Sequence, residues 1–231
     1  MKNKKIYTFL MLFLLFIFCI STKSHASNNE PSITSGSAIL LENSTSKVLF
    51  EKNMNEKLEP ASITKIMTAI LAIENCNLDD VVTVPYEAIS NIPSGYSVAP
   101  LQTDEQITVD QLLRVLMVHS ANDAANALAY HIDGSIPAFA ERMNAKLNAL
   151  GLKDSHFTNP SGQHDTNHYS TAHDIAILLQ YCMKNTTFKT YASLKSCQLS
   201  ATNKSEERSF QNTNPMLQPN SSYYYKPLVT T

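Results

Sequence analysis

The sequence predicts a mixed α/β (α+β) fold in which a helical subdomain is inserted between the two halves of a sheet. Three observations carry that prediction. Two strand-like runs, residues 37–41 and 47–51, flank the turn residues Asn43, Ser44, Thr45 and Ser46. Segments with helical apolar spacing then fill most of the interval from Ser62 to Lys184. Two further strand-like runs follow at residues 197–202 and 208–212. With 231 residues, 43% of them hydrophobic, the chain has enough apolar surface for a buried core.

The opening pair reads as a β-hairpin, because short β-prone runs are separated by residues that favour turns. From Ser62 the period changes: Ile63, Met67, Ile70 and Leu71 recur at helical spacing until Asn75–Asp80 ends the run. Residues 81–84 are β-like, and residues 92–101, with Pro93, Gly95 and Pro100, read as a loop. Thr108 and Gln111 make a capping box ahead of Val109, Leu112, Leu113, Leu116 and Met117. His119 and Ser120 break that period. A second helix follows with Ala124, Leu128 and Ile132 on one face, and a third with Phe139, Met143 and Leu147 before Gly151 stops it. The last helix is expected over about 171–184, capped by Thr171 and Asp174, with Ile175, Leu178, Leu179 and Cys182 as its buried stripe. Tyr223 to Tyr225 read as a strand with one buried face.

Residues 1–26 are expected to be a secretory signal peptide. Lys2, Lys4 and Lys5 precede an apolar stretch from Ile6 to Ile20, and Ser24-His25-Ala26 places small residues where a signal peptidase needs them. Residues 27–231 then form one domain, with the helical subdomain over about 81–185. Removal of the leader takes four lysines and no acid, leaving 14 basic residues against 20 acidic ones and a net charge of about −6. A basic nucleic-acid footprint is therefore lacking, and no nucleic-acid partner is expected.

Cys19 leaves with the leader and lacks lipid-attachment flanks, while Cys76, Cys182 and Cys197 remain as an odd set that reads as buried thiols. His164, Asp165, His168, His173 and Asp174 are too irregularly spaced for a metal site, and no metal or cofactor is expected.

Chemistry concentrates at Ser62-Ile63-Thr64-Lys65, an S-x-x-K tetrad at the head of the first helical pattern. Residues three apart share a helix face, so the Ser62 hydroxyl and the Lys65 amine can meet. A serine hydroxyl is a weak nucleophile near neutral pH, and an uncharged lysine beside it can take its proton as it attacks a carbonyl. For that, Lys65 needs a pKa lowered by burial and by nearby positive charge. Ser120-Ala121-Asn122, an S-x-N triplet, lies at the junction of two helices farther along.

Tetrad and triplet, in that order, resemble the first two motifs of penicillin-binding proteins and class A β-lactamases. The run from Pro60 to Thr68, P-A-S-I-T-K-I-M-T, is similar to the active-site segment of low-molecular-mass penicillin-binding proteins that are serine-type D-Ala-D-Ala carboxypeptidases. The similarity extends through residues 112–127, the N-P-S-G of Asn159 to Gly162, H-Y-S-T-A-H-D from His168 to Asp174, and residues 212–229. It implies the penicillin-binding/β-lactamase-like transpeptidase fold. It also implies an exported enzyme of the cell envelope whose partners are peptidoglycan stem peptides, with β-lactams as covalent inhibitors. By the resemblance Ser62 is the nucleophile, Lys65 its base, Ser120 the relay that passes a proton to the leaving nitrogen, and Asn122 a substrate-binding residue.

The third motif of that family, K-T-G, does not occur: none of the five glycines follows a Lys-Thr pair. The resemblance implies that the chain stops a few residues before that strand, with the sheet incomplete at the C-terminus. Loss of one oxyanion donor alone costs about 3 kcal/mol. The chain as written is accordingly expected to be inactive or nearly so. Two other readings stay open, a class A β-lactamase-like hydrolase and a non-catalytic peptidoglycan-binding envelope protein. Against the first, Ala121 stands where that class has aspartate, and no E-x-x-L-N segment follows Asn122.

Overall fold

The computed structural model describes residues 31–225. The chain divides into two compact units, Met1–Thr34 and Ser35–Thr231. The expected leader lies outside the described residues, and the second unit carries everything below.

Strand β1 (Ala38–Leu41) pairs antiparallel with β2 (Val48–Lys52), as the hairpin pattern predicts. A 3₁₀ turn, Ala61–Thr64, leads into helix α1 (Lys65–Asn75), so the predicted helix starts tighter than an α-helix. Strand β3 (Val81–Thr83) pairs with β4 (Gln106–Thr108) around a short helix α2 (Tyr86–Ser90) and the expected loop. Neither α2 nor β4 is legible in the sequence, because five and three residues are too few to display a period. Helix α3 (Val109–His119) starts at the predicted capping box, with Thr108 Oγ1 accepting from the Gln111 N–H at 3.2 Å.

Helices α4 (Asn122–Asp133) and α5 (Ile136–Ala149) follow the apolar spacing. Helix α6 (Ala172–Cys182) is capped by Thr171, but Asp174 does not complete a box. Its carboxylate accepts instead from the Asp154 N–H and the Ser155 hydroxyl, tying α6 to the 154–155 segment. A further short helix, α7 (Thr186–Ala192), precedes the hairpin of β5 (Ser196–Leu199) and β6 (Arg208–Gln211).

The core is helical. Met67, Ile70 and Leu71 of α1, Leu112, Leu113 and Leu116 of α3, Leu128 of α4, and Phe139 and Met143 of α5 are all essentially inaccessible. Each such side chain contributes about 1.5–3 kcal/mol on burial, so α1 is fixed by its apolar stripe rather than by propensity.

Three expectations need correction. The described strands form three separate two-stranded ladders and not two halves of one sheet. Cys197 and Leu199 of β5 bury their face against α3, and that contact takes the hairpin away from β1–β2. Leu179 is 38% exposed and falls outside the α6 stripe, which is carried by Leu178 and Cys182. Tyr223 to Tyr225 form no strand. Tyr223 sits in a turn, with Tyr223 71% and Tyr225 54% exposed, while Tyr224 lies by Lys195.

Of the thiols, Cys182 and Cys197 are buried and Cys76 is half-buried, all three unpaired. Among the described residues no helix is long and apolar enough to cross a membrane, and no group of three or more metal-ligating side chains is assembled.

Candidate active site

Ser62 is exposed, and Lys65 lies beneath it with 3% of its surface accessible. Lys65 Nζ donates to Ser62 Oγ at 3.2 Å, to Asn122 Oδ1 at 3.1 Å and to the Ser161 carbonyl at 2.7 Å. Three acceptors thus match the three N–H bonds of an ammonium group. On deprotonation one N–H becomes a lone pair. Carbonyl and amide oxygens only accept, so the neutral amine must keep its two remaining N–H bonds on Asn122 and Ser161. The lone pair then falls on Ser62, the one partner able to donate. The arrangement therefore defines the direction of proton transfer.

Burial pushes the Lys65 pKa down from 10.5 to about 8, and the negative charge of Asp123 acts in the opposite direction. Among the described residues no positive charge adds to this effect, and desolvation is what lowers the Lys65 pKa. Asp123 is itself buried, and desolvation raises its pKa even though the N–H groups of Ala99, Leu101 and Ala124 bond its carboxylate.

Those bonds hold the 97–101 loop against the start of α4. From that loop the Ser97 carbonyl accepts both the Asn122 backbone N–H at 2.8 Å and its Nδ2 at 2.9 Å. The amide is thereby oriented with Oδ1 toward Lys65. On the far side of the loop, Arg208 of β6 donates to the Ala99 carbonyl at 2.8 Å and pairs with the fully buried Glu105.

Ser120 ends α3 in the left-handed conformation, φ 59° and ψ 36°, and the chain turns there into α4. The turn brings Asn122 to Lys65. Ser120 itself makes no side-chain hydrogen bond among the described residues, so its hydroxyl is not engaged by Lys65 or Asn122 as Ser62 is.

The opposite wall is the N-P-S-G segment. Asn159 Oδ1 accepts from the N–H groups of Ser161, Gly162 and Gln163 at 3.2, 2.8 and 3.0 Å, bending the chain so that the Ser161 carbonyl faces Lys65. The Pro160 carbonyl accepts from Thr68 Oγ1 at 2.6 Å, which locks the segment onto α1.

Ser161, Ser97, Asp123 and His168 are the participants that residue reading missed. The first two act through backbone carbonyls, which any residue possesses, so their type carries no signal. His168 appears in the sequence reading as part of an irregular His/Asp group and at the head of the H-Y-S-T-A-H-D run, neither of which signals its contact with Thr64. In the structure that group is dispersed: His164 pairs with Glu59 on the surface, His173 lies beside Asp174, and His168 is buried against Thr64.

Residues 24–226 match the family described as D-alanyl-D-alanine carboxypeptidase, peptidase family S11. Over 153 residues, 64% of this chain, it is 41% identical to the D-alanyl-D-alanine carboxypeptidase DacF of Bacillus subtilis, and the match covers 39% of that relative. The chain thus spans about two fifths of the length of that curated relative. Penicillin binding protein 6B of Escherichia coli superposes with a TM-score of 0.75 and 31% identity, covering 86% of this chain and 64% of that one. A variant of a Streptomyces DD-transpeptidase gives a TM-score of 0.77 and 31% identity, covering 83% and 79% of the two chains. With a family match over most of its length and a fold shared at these scores, the chain belongs to the peptidase S11 family of D-alanyl-D-alanine carboxypeptidases.

Proposed function

We propose that this chain carries the acyl-transfer site of a D-alanyl-D-alanine carboxypeptidase acting on peptidoglycan stem peptides. Ser62 attacks the carbonyl between the two terminal D-alanines while its proton passes to neutral Lys65. The C–O bond forms, the C–N bond breaks, and the leaving nitrogen takes up a proton relayed through Ser120. Water then cleaves the ester on Ser62. Asn122, already fixed by Ser97, has one amide hydrogen left to hold the substrate at attack distance. The observation that carries this reading is the lone-pair direction: a buried lysine, with its pKa lowered to about 8, whose one convertible partner is the Ser62 hydroxyl 3.2 Å away.

The same reading makes residues 1–26 a secretory leader, 27–231 the catalytic domain with its helical part over about 81–185, and the cell envelope the place of action. β-Lactams are then covalent ligands of Ser62, since acylation by a strained amide uses the same first step. Fluorescent penicillin tests it. With the K-T-G motif of the family missing from this sequence, labelling is expected to be at least about a hundredfold slow, so incubation is run to a day. The expected result is a covalent band that disappears in Ser62→Ala. Folded protein that takes no label at saturating penicillin would leave only the non-catalytic, peptidoglycan-binding reading.

A further inference from the structure

We propose that His168 is a positioning residue, and that the Thr64–His168 hydrogen bond holds the turn carrying Ser62 and Lys65 against the loop that presents the Ser161 carbonyl. The inference rests on the acyl-transfer reading above. It starts from which ring nitrogen carries the proton. His168 Nδ1 lies 3.1 Å from the Thr158 N–H, and a backbone N–H only donates, so Nδ1 is the acceptor. The Asn159 Nδ2 at 3.5 Å is on the same side, and it too only donates. A neutral ring therefore has its proton on Nε2, aimed at Thr64 Oγ1 2.8 Å away. Burial keeps the ring neutral by pushing its pKa down to about 4.

His168 is 2% exposed and Thr64 is fully buried, so no water replaces this bond. Its two ends matter because of what adjoins them. Thr64 immediately precedes Lys65 and lies two residues beyond Ser62. Thr158, bonded to the other nitrogen, opens the 158–162 segment whose Ser161 carbonyl accepts from Lys65 at 2.7 Å. One ring thus bridges both backbones that meet at the Lys65 amine. Phe157 packs on the ring at 5.1 Å between centroids and fixes its plane. Neither nitrogen faces the mouth of the site, so the ring acts through Lys65 and not on a substrate.

The test reads the Lys65 amine directly, in the full chain labelled with 13Cε-lysine and titrated by NMR, the Lys65 signal being assigned by its loss in Lys65→Met. Thr64→Val keeps the shape of the side chain and removes only the acceptor, His168→Phe keeps a ring and removes both nitrogens, and Thr64→Ser restores the hydroxyl. Thr64→Val and His168→Phe are expected to move the Lys65 midpoint upward, toward that of a solvated lysine, cutting the neutral amine at pH 8 at least threefold. Both are expected to slow penicillin labelling of Ser62 at least tenfold, with Thr64→Ser close to the parent in both measurements. A purely structural role would lower the melting temperature and leave the midpoint and the labelling rate of the folded variants unchanged, which overturns the proposal. A shifted midpoint with an unchanged labelling rate overturns it as well. Should the parent protein take no label, the acyl-transfer reading fails by itself, and the Lys65 midpoint still decides whether His168 sets that amine.

Discussion

Gly162 lies directly against Ala61: a β-carbon placed on Gly162 would come within 1.8 Å of the Ala61 carbonyl oxygen and 2.4 Å of its carbonyl carbon. Gly162 also has φ +80°, and Ala61, the residue before Ser62, has φ +47°. A non-glycine residue in that region costs of order 1–3 kcal/mol and persists only where its surroundings impose it. The contact with Gly162 is such an imposition.

Gly162→Ala is therefore expected to destabilise the protein by at least about 2 kcal/mol, combining left-handed strain with displacement of backbone. Urea unfolding followed by circular dichroism measures it. A midpoint equal to that of the parent would mean that the turn at Ala61 is not held by this contact.

The rate of Ser62 acylation should follow deprotonation of Lys65, rising with pH up to a plateau with an apparent midpoint near 8. Labelling rates between pH 6 and 10 provide the profile. A rate that stays flat across that range would show that another group takes the proton.

Asp123→Asn separates charge from scaffold. The variant removes the negative charge that raises the Lys65 pKa, so the acylation midpoint should move to lower pH. It also turns one face of the group into a donor opposite the N–H groups of Ala99 and Leu101, at an expected cost of about 1–3 kcal/mol. A variant with an unshifted midpoint and undiminished stability would remove Asp123 from the account.

His168 links acid pH to stability. Its folded pKa, about 4, is below the ordinary 6.5, so in that interval the unfolded chain binds a proton that the folded chain refuses. The stability this group contributes is present above pH 6.5 and is lost as pH falls toward 4, by about 3 kcal/mol at 1.4 kcal/mol per unit. Denaturant midpoints at pH 7 and 4.5 for the parent and for His168→Phe isolate the effect. Equal losses in the two proteins would rule it out.

Much of the site was legible because its signals are local. The S-x-x-K spacing puts Ser62 and Lys65 on one turn, the Thr108 and Gln111 capping box marks where α3 begins, and the break at His119 and Ser120 marks where the chain turns toward Asn122. Legibility failed where an element was too short to show a period, as at α2 and β4, and where a backbone carbonyl did the work, as at Ser97 and Ser161. It failed again at Leu179, Tyr223 and Tyr225, where apolar or β-prone side chains stay largely uncovered by the described residues.

By itself, the sequence determined the longer helices, where most of them start and the pairing of Ser62 with Lys65, because each depends on residues within a turn or two of one another. Only the tertiary structure decided the state of the Lys65 amine. The aim of the Lys65 lone pair and the bond from His168 to Thr64 depend on groups 57 to 104 positions away along the chain. Such groups act through distance and dielectric in three dimensions, and neither quantity is written in the order of residues.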